Sequence, residues 1–383
     1  MNRVKADTKK EYSLYLSKNE YLLYKHDADL EFEADNVLRK DRKANNVENE
    51  VKAELKTKGI NRIYFGAPGT GKSFNLKTFI QNNGIENYSD EINHPNVYRT
   101  TLHPEFSYSD FIGQVMPSVK NSGKDTSEIT YDFVPNIFTE ALKSAIQKPE
   151  EPVFLILEEM SRANVAAVFG DLFQLLDRDN LGKSEYQINN ALIAEYIYKD
   201  KNKKIFIPSN LFLLGTVNTS DQNVFVMDTA FKRRFEHVYV STKIKEEDEN
   251  LNDFNFSLFQ NNGEKISMRW VDLIRTLNHF IVAPMEKNGL ELSEDKQLGQ
   301  FFIKFNNKYE NSEEALLKNY EQITGKLIHY LWTDVNKASF SEVSLFNSEI
   351  DSFSTLYEWA INKRNFFSTT FMSLYNSFIN NEV

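Results

Sequence analysis

Eight consecutive residues, Gly66-Ala67-Pro68-Gly69-Thr70-Gly71-Lys72-Ser73, meet every fixed position of the spacing G-x-x-x-x-G-K-[ST]. The glycines let backbone N–H groups turn inward around phosphate oxygens. Lys72 would reach the β- and γ-phosphates, and the Ser73 hydroxyl would ligate Mg²⁺. A helix opening at Lys72 adds positive partial charge where the phosphates sit. The bland alternative is a Gly-rich turn. Hydrolysis needs more than this cradle: a carboxylate near the metal and a group that orients water. Glu158-Glu159 follow an apolar run and supply two carboxylates. Glu158 would hold Mg²⁺ through water, and Glu159 would polarise the attacking water as general base. The competing reading is an acidic pair that favours the dipole of a following helix.

Two further segments carry polar groups at the ends of apolar runs. Leu211–Val217 leads into Asn218-Thr219-Ser220-Asp221, which can place the Asn218 amide beside the γ-phosphate and its water. An Asx-turn without nucleotide contact is the alternative. Phe231-Lys232-Arg233-Arg234-Phe235 sets three cations between apolar anchors. Arg233 or Arg234 could serve as an arginine finger on a neighbouring subunit's γ-phosphate, against the simpler reading of a solvated basic turn.

These groups need a scaffold, and the hydrophobic pattern describes one. Arg62–Phe65, Val97–Leu102, Pro152–Leu157, Leu211–Val217 and His237–Val240 read as strands. Lys72–Gln81 and Asn164–Asp177 have apolar residues at helical spacing. Short apolar strands alternating with helices predict an α/β fold, a mainly parallel sheet covered on both faces. Ligand sites in such sheets lie at the C-terminal ends of the strands, where Glu158, Glu159 and Asn218 fall. Residues 178–207 have no clear period and read as an inserted hairpin or loop. After about residue 245 the pattern turns helical, with amphipathic stretches at Trp270–Pro284 and Glu313–Trp332, and Asn252–Asn262 reads as loop. The predicted organisation is a short helical N-terminal extension over 1–58, a nucleotide-binding α/β domain over 59–245, and an α-helical lid over 246–383.

Composition narrows the classes. A chain of 383 residues, 41% hydrophobic and 26% charged, has an ordinary globular balance. There is no cysteine, which excludes disulfides and Cys-ligated zinc and fits a reducing, cytoplasmic setting. The polar N-terminus has no apolar signal core, and the most apolar runs are too short to span a bilayer. A net charge of −10 argues against a wholly basic nucleic-acid-coating surface. Residues 1–58 hold 13 Lys/Arg and 12 Asp/Glu, the profile of a solvated docking or linker arm.

Taken in order, the motif segments resemble the AAA+ domain of the McrB family, the GTP-hydrolysing motor of methylation-dependent restriction systems, over roughly residues 60–305. Besides the P-loop, the resemblance rests on Leu102-His103-Pro104-Glu105-Phe106-Ser107-Tyr108, Glu158-Glu159-Met160-Ser161-Arg162-Ala163-Asn164, Ile207-Pro208-Ser209-Asn210, Gly215-Thr216-Val217-Asn218-Thr219-Ser220-Asp221 and Ala230-Phe231-Lys232-Arg233-Arg234-Phe235. Leu298-Gly299-Gln300-Phe301-Phe302 resembles a degenerate form of a late family motif. The resemblance implies a hexameric AAA+ ring with Mg²⁺ and GTP or ATP between subunits, a McrC-like nuclease partner, and DNA translocation in phage defence. It also implies that Asn218 positions water and that Asp221 belongs to the guanine-associated motif. Three departures stand out: Glu158 replaces the family's Asp, Ser220 and Gln222 alter the Asn-Thr-Ala-Asp-Arg signature, and residues 1–58 are short for a DNA-reading domain. Dynein-related or MoxR-like protein remodelling and a nucleotide-gated scaffold are the competing functions.

Overall fold

The computed structural model describes residues 2–4, 14–16, 58–121, 127–221, 225–306, 312–339 and 341–380. The chain divides into two units, Met1–Lys58 and Gly59–Val383. In the first, β1 (Asn2–Val4) and β2 (Leu14–Leu16) pair antiparallel. Those six residues satisfy their backbone groups across strands, where a helix was expected; the rest of the expected extension lies outside the described residues.

The second unit is built on five parallel strands. These are β3 (Asn61–Gly66), β4 (Val97–Thr101), β7 (Val153–Glu158), β8 (Leu211–Asn218) and β9 (Glu236–Tyr239), in the spatial order β4-β7-β8-β3-β9. The apolar runs explain the order. Val153–Leu157 and Leu211–Leu214 are buried on both faces, so β7 and β8 take central places. Alternate side chains of β7 serve opposite layers. Val153, Leu155 and Leu157 join one core with Phe138, Leu142 and Phe169. Phe154 and Ile156 join the other with Leu76 and Ile80 of α1 (Lys72–Asn82). Each such fully buried side chain contributes about 1.5–3 kcal/mol.

Between β4 and β7 the chain adds α2 (Tyr108–Ile112), an antiparallel hairpin of β5 (Gly113–Asn121) and β6 (Ser127–Pro135), and α3 (Ile137–Gln147). This hairpin was not expected. Gly113, at φ 122°, lets the chain pass straight from helix into strand. The register pairs Val115 with Phe133, Pro117 with Tyr131 and Val119 with Ile129, three successive largely apolar pairs on one face. The predicted helix over Asn164–Asp177 is α4 (Val165–Phe169) followed by tighter turns at Gly170–Leu176. The break falls at Gly170, φ 52°, where a Cβ would meet the Tyr108 ring at 2.9 Å.

The 178–207 reading needs correction. That segment contains a helix, α5 (Ala191–Tyr198), capped by the Asn190 side chain on the Ile193 amide. Two bridges flank it, Arg178 with Ser184 and Ile188 with Ile205. Asn252–Asn262 is likewise not all loop. After α6 (Thr229–Lys232) and β9, Asn255–Phe259 forms β10 and pairs with β11 (Lys265–Arg269) because Phe256 and Leu258 are buried.

Residues 254–375 contribute a third core of their own. In α7 (Trp270–Val282) the side chains of Trp270, Leu273, Ile274, Leu277 and Ile281 recur at helical spacing and are all buried. α8 (Glu313–Gln322), α9 (Phe353–Ile361) and α10 (Thr369–Ile379) pack around the same core. Among the described residues no helix is long and apolar enough to cross a membrane.

One buried amide ties the α3 end to the sheet. Asn210 Nδ2 donates to the carbonyls of Ala145 (3.0 Å), Lys148 (2.8 Å) and Glu151 (2.8 Å). Asn210→Ala leaves those carbonyls short of a donor and should cost about 2 kcal/mol of unfolding free energy. Denaturant titration checks this; a loss under about 0.5 kcal/mol, the size of an ordinary surface substitution, would show that the amide does not hold this corner.

Candidate active site

Gly66 ends β3, residues 67–71 form the turn, and Lys72 and Ser73 open α1. Gly69 and Gly71 have φ of 76° and 92°, the left-handed region that favours glycine. Thr70 Oγ1 closes the loop on the Ala67 carbonyl at 2.9 Å. Lys72 is buried, and its Nζ donates to the carbonyls of Gly66 (3.0 Å) and Ala67 (2.8 Å). Burial lowers its pKa to about 8, although Glu159 and Asp221 pull it back up.

A second backbone segment sits on the loop. The amides of Gly299 and Phe301 donate to the carbonyls of Pro68 and Gly69, both at 2.9 Å. A Cβ on Gly299 would collide with the Gly69 carbonyl and the Thr70 amide, so only glycine allows this approach. The segment is braced from behind: Trp270 Nε1 and Asn252 Nδ2 both donate to the Gln300 carbonyl, and Asn278 Nδ2 to that of Leu298. The degenerate motif at Leu298–Phe302 is therefore a clamp from the helical core onto the phosphate loop.

Strand register brings the remaining groups to the same edge. Thr101 pairs with Glu158, and Gly66 with Asn218. Ser73, Thr101, Glu158, Glu159 and Asn218 line one cavity of about 560 Å³ with Lys72. Glu158 stays in the strand, with Arg99 Nη1 at 4.0 Å. Glu159 leaves it in a left-handed conformation, φ 56° and ψ 42°, which costs about 1–3 kcal/mol for a residue with a Cβ. Four contacts offset that cost. Its amide donates to Thr216 Oγ1 at 3.3 Å, Asn218 Nδ2 donates to its two carboxylate oxygens at 2.8 and 3.0 Å, and Arg162 Nε donates at 3.1 Å.

A hydroxyl and a carboxylate oxygen on one cavity wall suit Mg²⁺, a hard ion that takes a few protein oxygens and completes its shell with phosphate and water. Ser73 and Glu158 are the lining residues that could supply them; among the described residues no cluster of three His, Cys, Asp or Glu offers an all-protein metal cage. A second cavity of about 630 Å³ shares Gly71, Phe74 and Phe301 with the first and is also lined by Tyr239 and Asp248. Together the two have the space for polyphosphate and nucleoside.

Asp221, Arg233 and Arg234 line neither cavity, the two arginines being expected to act on a neighbouring subunit. Arg234 is taken up inside the chain: it donates to Asp177 (2.7 and 3.1 Å) and the Ala230 carbonyl (2.7 Å) and stacks 4.1 Å over Phe173. That leaves Arg233, exposed and without a partner among the described residues, as the candidate finger. The Asp221 carboxylate forms an ion pair with Arg162 at 2.9 Å, because the turn after β8 carries it toward the end of β7 and away from the nucleoside space. Arg162, Thr216, Thr101, the clamp residue Phe301 and the cavity-lining Lys304 were not foreseen as site residues. Arg162 stands three residues beyond Glu159, a spacing that does pair side chains, so its contact was the one open to inference.

Residues 62–235 match the AAA domain of the dynein-related subfamily. The chain is similar to the type II restriction enzyme BsuMI component YdiS of Bacillus subtilis, 34% identical over 76% of this chain and 85% of that one. It is also similar to the type IV methyl-directed restriction enzyme EcoKMcrB subunit of Escherichia coli, 28% identical over 46% of this chain and 34% of that one. The solved structure of NtrX from Brucella abortus aligns with 66% of this chain and 47% of that one at 12% identity, with a TM-score of 0.29.

Lys72→Ala should weaken triphosphate binding about tenfold to a hundredfold, the worth of a charged hydrogen bond; undiminished binding of a fluorescent triphosphate analogue would remove Lys72 from the site. The bound polyphosphate favours charged Lys72, and the free protein loses that proton as pH rises through about 8. Binding therefore takes up a proton above that pH, and affinity should fall by up to about tenfold per pH unit there. The slope should vanish in Lys72→Ala.

Proposed function

The chain belongs to the dynein-related subfamily of AAA proteins, among McrB-like restriction components, and on that premise we propose that it is the Mg²⁺-dependent nucleoside-triphosphatase motor of a restriction system. The observation that carries this reading is the convergence of Glu159 and Asn218, from the ends of β7 and β8, on the cavity that holds Lys72 and Ser73.

The residues divide the work as follows. Lys72 neutralises the β- and γ-phosphates, and the inward-turned loop amides accept their remaining charge. Ser73 and Glu158 hold Mg²⁺, which when bound neutralises charge on the phosphate oxygens. Asn218 orients the water beside Glu159. As the water oxygen bonds to the γ-phosphorus, Glu159 takes its proton and the bond to the β–γ bridging oxygen breaks, releasing nucleoside diphosphate and phosphate. Arg233 acts in trans on the γ-phosphate of a neighbouring copy in a hexameric ring. Cleavage of DNA falls to a McrC-like nuclease partner, with hydrolysis here driving movement along DNA.

GTP stands ahead of ATP in this proposal. Asp248 at the nucleoside cavity offers a carboxylate. Guanine presents adjacent N–H donors on its Watson–Crick edge, including the N2 amine, that such an acceptor can pair with. Protein remodelling is the second reading, and one observation favours it: on the apolar face of the β5–β6 hairpin Val119, Ile129 and Tyr131 are 65–72% exposed. A surface of that kind suits a protein partner better than phosphates.

Hydrolysis of GTP and of ATP, with and without DNA, separates these readings. The expected outcome is GTP turnover stimulated by DNA, reduced about a hundredfold or more by Glu159→Gln. Stimulation by unfolded protein and not by DNA would support remodelling. Binding of both triphosphates without turnover would leave a nucleotide-gated scaffold.

A further inference from the structure

We infer that Arg162 and Asp221 form a positioning relay behind Glu159, so that Asp221 serves catalysis through Arg162 and takes no part in reading the base. The inference rests on Glu159 being the general base, as proposed above. Its starting point is geometric: one guanidinium meets two carboxylates, donating from Nε to Glu159 at 3.1 Å and forming an ion pair through Nη2, without hydrogen-bond geometry, with the buried Asp221 Oδ2 at 2.9 Å.

The surrounding contacts make this bridge specific. Arg162 is 49% exposed and Asp221 19%, so the pair adds little stability on its own. What it does add is orientation. Glu159 stands in a left-handed turn, where its neighbours must dictate the carboxylate's direction. Asn218 grips both oxygens from the front and Arg162 holds one from the side. Asn218 and Asp221 lie on the same short segment leaving β8, so this segment controls Glu159 twice, directly and through Arg162. The two segments are tied again by the Phe225 amide, which donates to the Ser161 carbonyl at 2.7 Å.

A planar guanidinium can present separate N–H groups to two carboxylates at once, whereas an ammonium acts as a point charge. Arg162→Lys should therefore keep the charge but only part of the bridge. Misplacing a reacting group by about 1 Å can cost on the order of a hundredfold in rate. The relay predicts a kcat effect, because neither residue lines the phosphate or the nucleoside cavity, and Asp221 reaches Lys72 only through space.

The test is steady-state hydrolysis by the full chain with Mg²⁺ and the triphosphate it turns over, beside thermal melts. Arg162→Ala and Asp221→Asn should each lower kcat about ten- to a hundredfold, with KM for GTP and ATP changed less than about threefold and the melting temperature nearly unmoved. Arg162→Lys should recover part of the loss. The double variant should be no slower than the worse single one, since both break one chain of contacts. Additive losses would overturn the relay, as would an Asp221→Asn enzyme with normal kcat and an altered GTP/ATP preference, which would make Asp221 a base reader. Should the alanine or asparagine variant melt early, Arg162→Lys and Asp221→Glu carry the same kcat-against-KM comparison, and normal kcat in both would overturn it. Full turnover in Glu159→Gln would instead defeat the general-base reading, before the relay is reached.

Discussion

The site depends on the register of parallel strands at the middle of the sheet. Gly66 stands opposite Asn218, and Thr101 opposite Glu158. A slip of one residue between β3 and β8 would send Asn218 to the other face and leave the phosphate loop without its polar neighbour. What prevents the slip is apolar: Val153–Leu157 and Leu211–Leu214 are buried on both sides, and each fits only one alternation of the layers above and below. The chemistry at the strand ends is thus aligned by hydrophobic packing several residues away.

At that edge the charges are arranged around an uncomfortable cation. Lys72 is buried with two carbonyls for company, and burial works against its charge. The acids that offset this act through space: Glu159 lines the cavity, and Asp221 stands outside it. A polyphosphate brings the close negative charge that the loop lacks, so binding substrate relieves a penalty the empty loop bears. The same acids are linked through Arg162 to the strand that carries Asn218, which makes the far wall of the cavity one connected unit.

Much of this was legible in the residues, and the exceptions have physical causes. The phosphate loop and the five strands were readable because each depends on local spacing or on a short apolar run. Glu158, Glu159 and Asn218 followed from the rule that sites gather at strand ends. The β5–β6 hairpin was missed although Ile129, Tyr131 and Phe133 alternate with Glu128, Thr130 and Asp132, a local strand signal that was passed over. α5 was missed because Ala191–Tyr198 is short, although Asn190 was a fair capping signal. Arg234 and Asp221 illustrate a different limit. Their side-chain types suited the roles expected of them, but Asp177, Phe173 and Arg162 are distant in sequence or on another element, and they decide where those charges go.

The clamp of Gly299 and Phe301 on Pro68 and Gly69 has a mechanical consequence. Its bonds are between backbones, and its far side is anchored by Trp270, Asn252 and Asn278 in the core of residues 254–375. That core is close-packed and resists deformation, so a shift of the loop backbone at Pro68 or Gly69 would be passed to it through two peptide-to-peptide bonds with little slack between them.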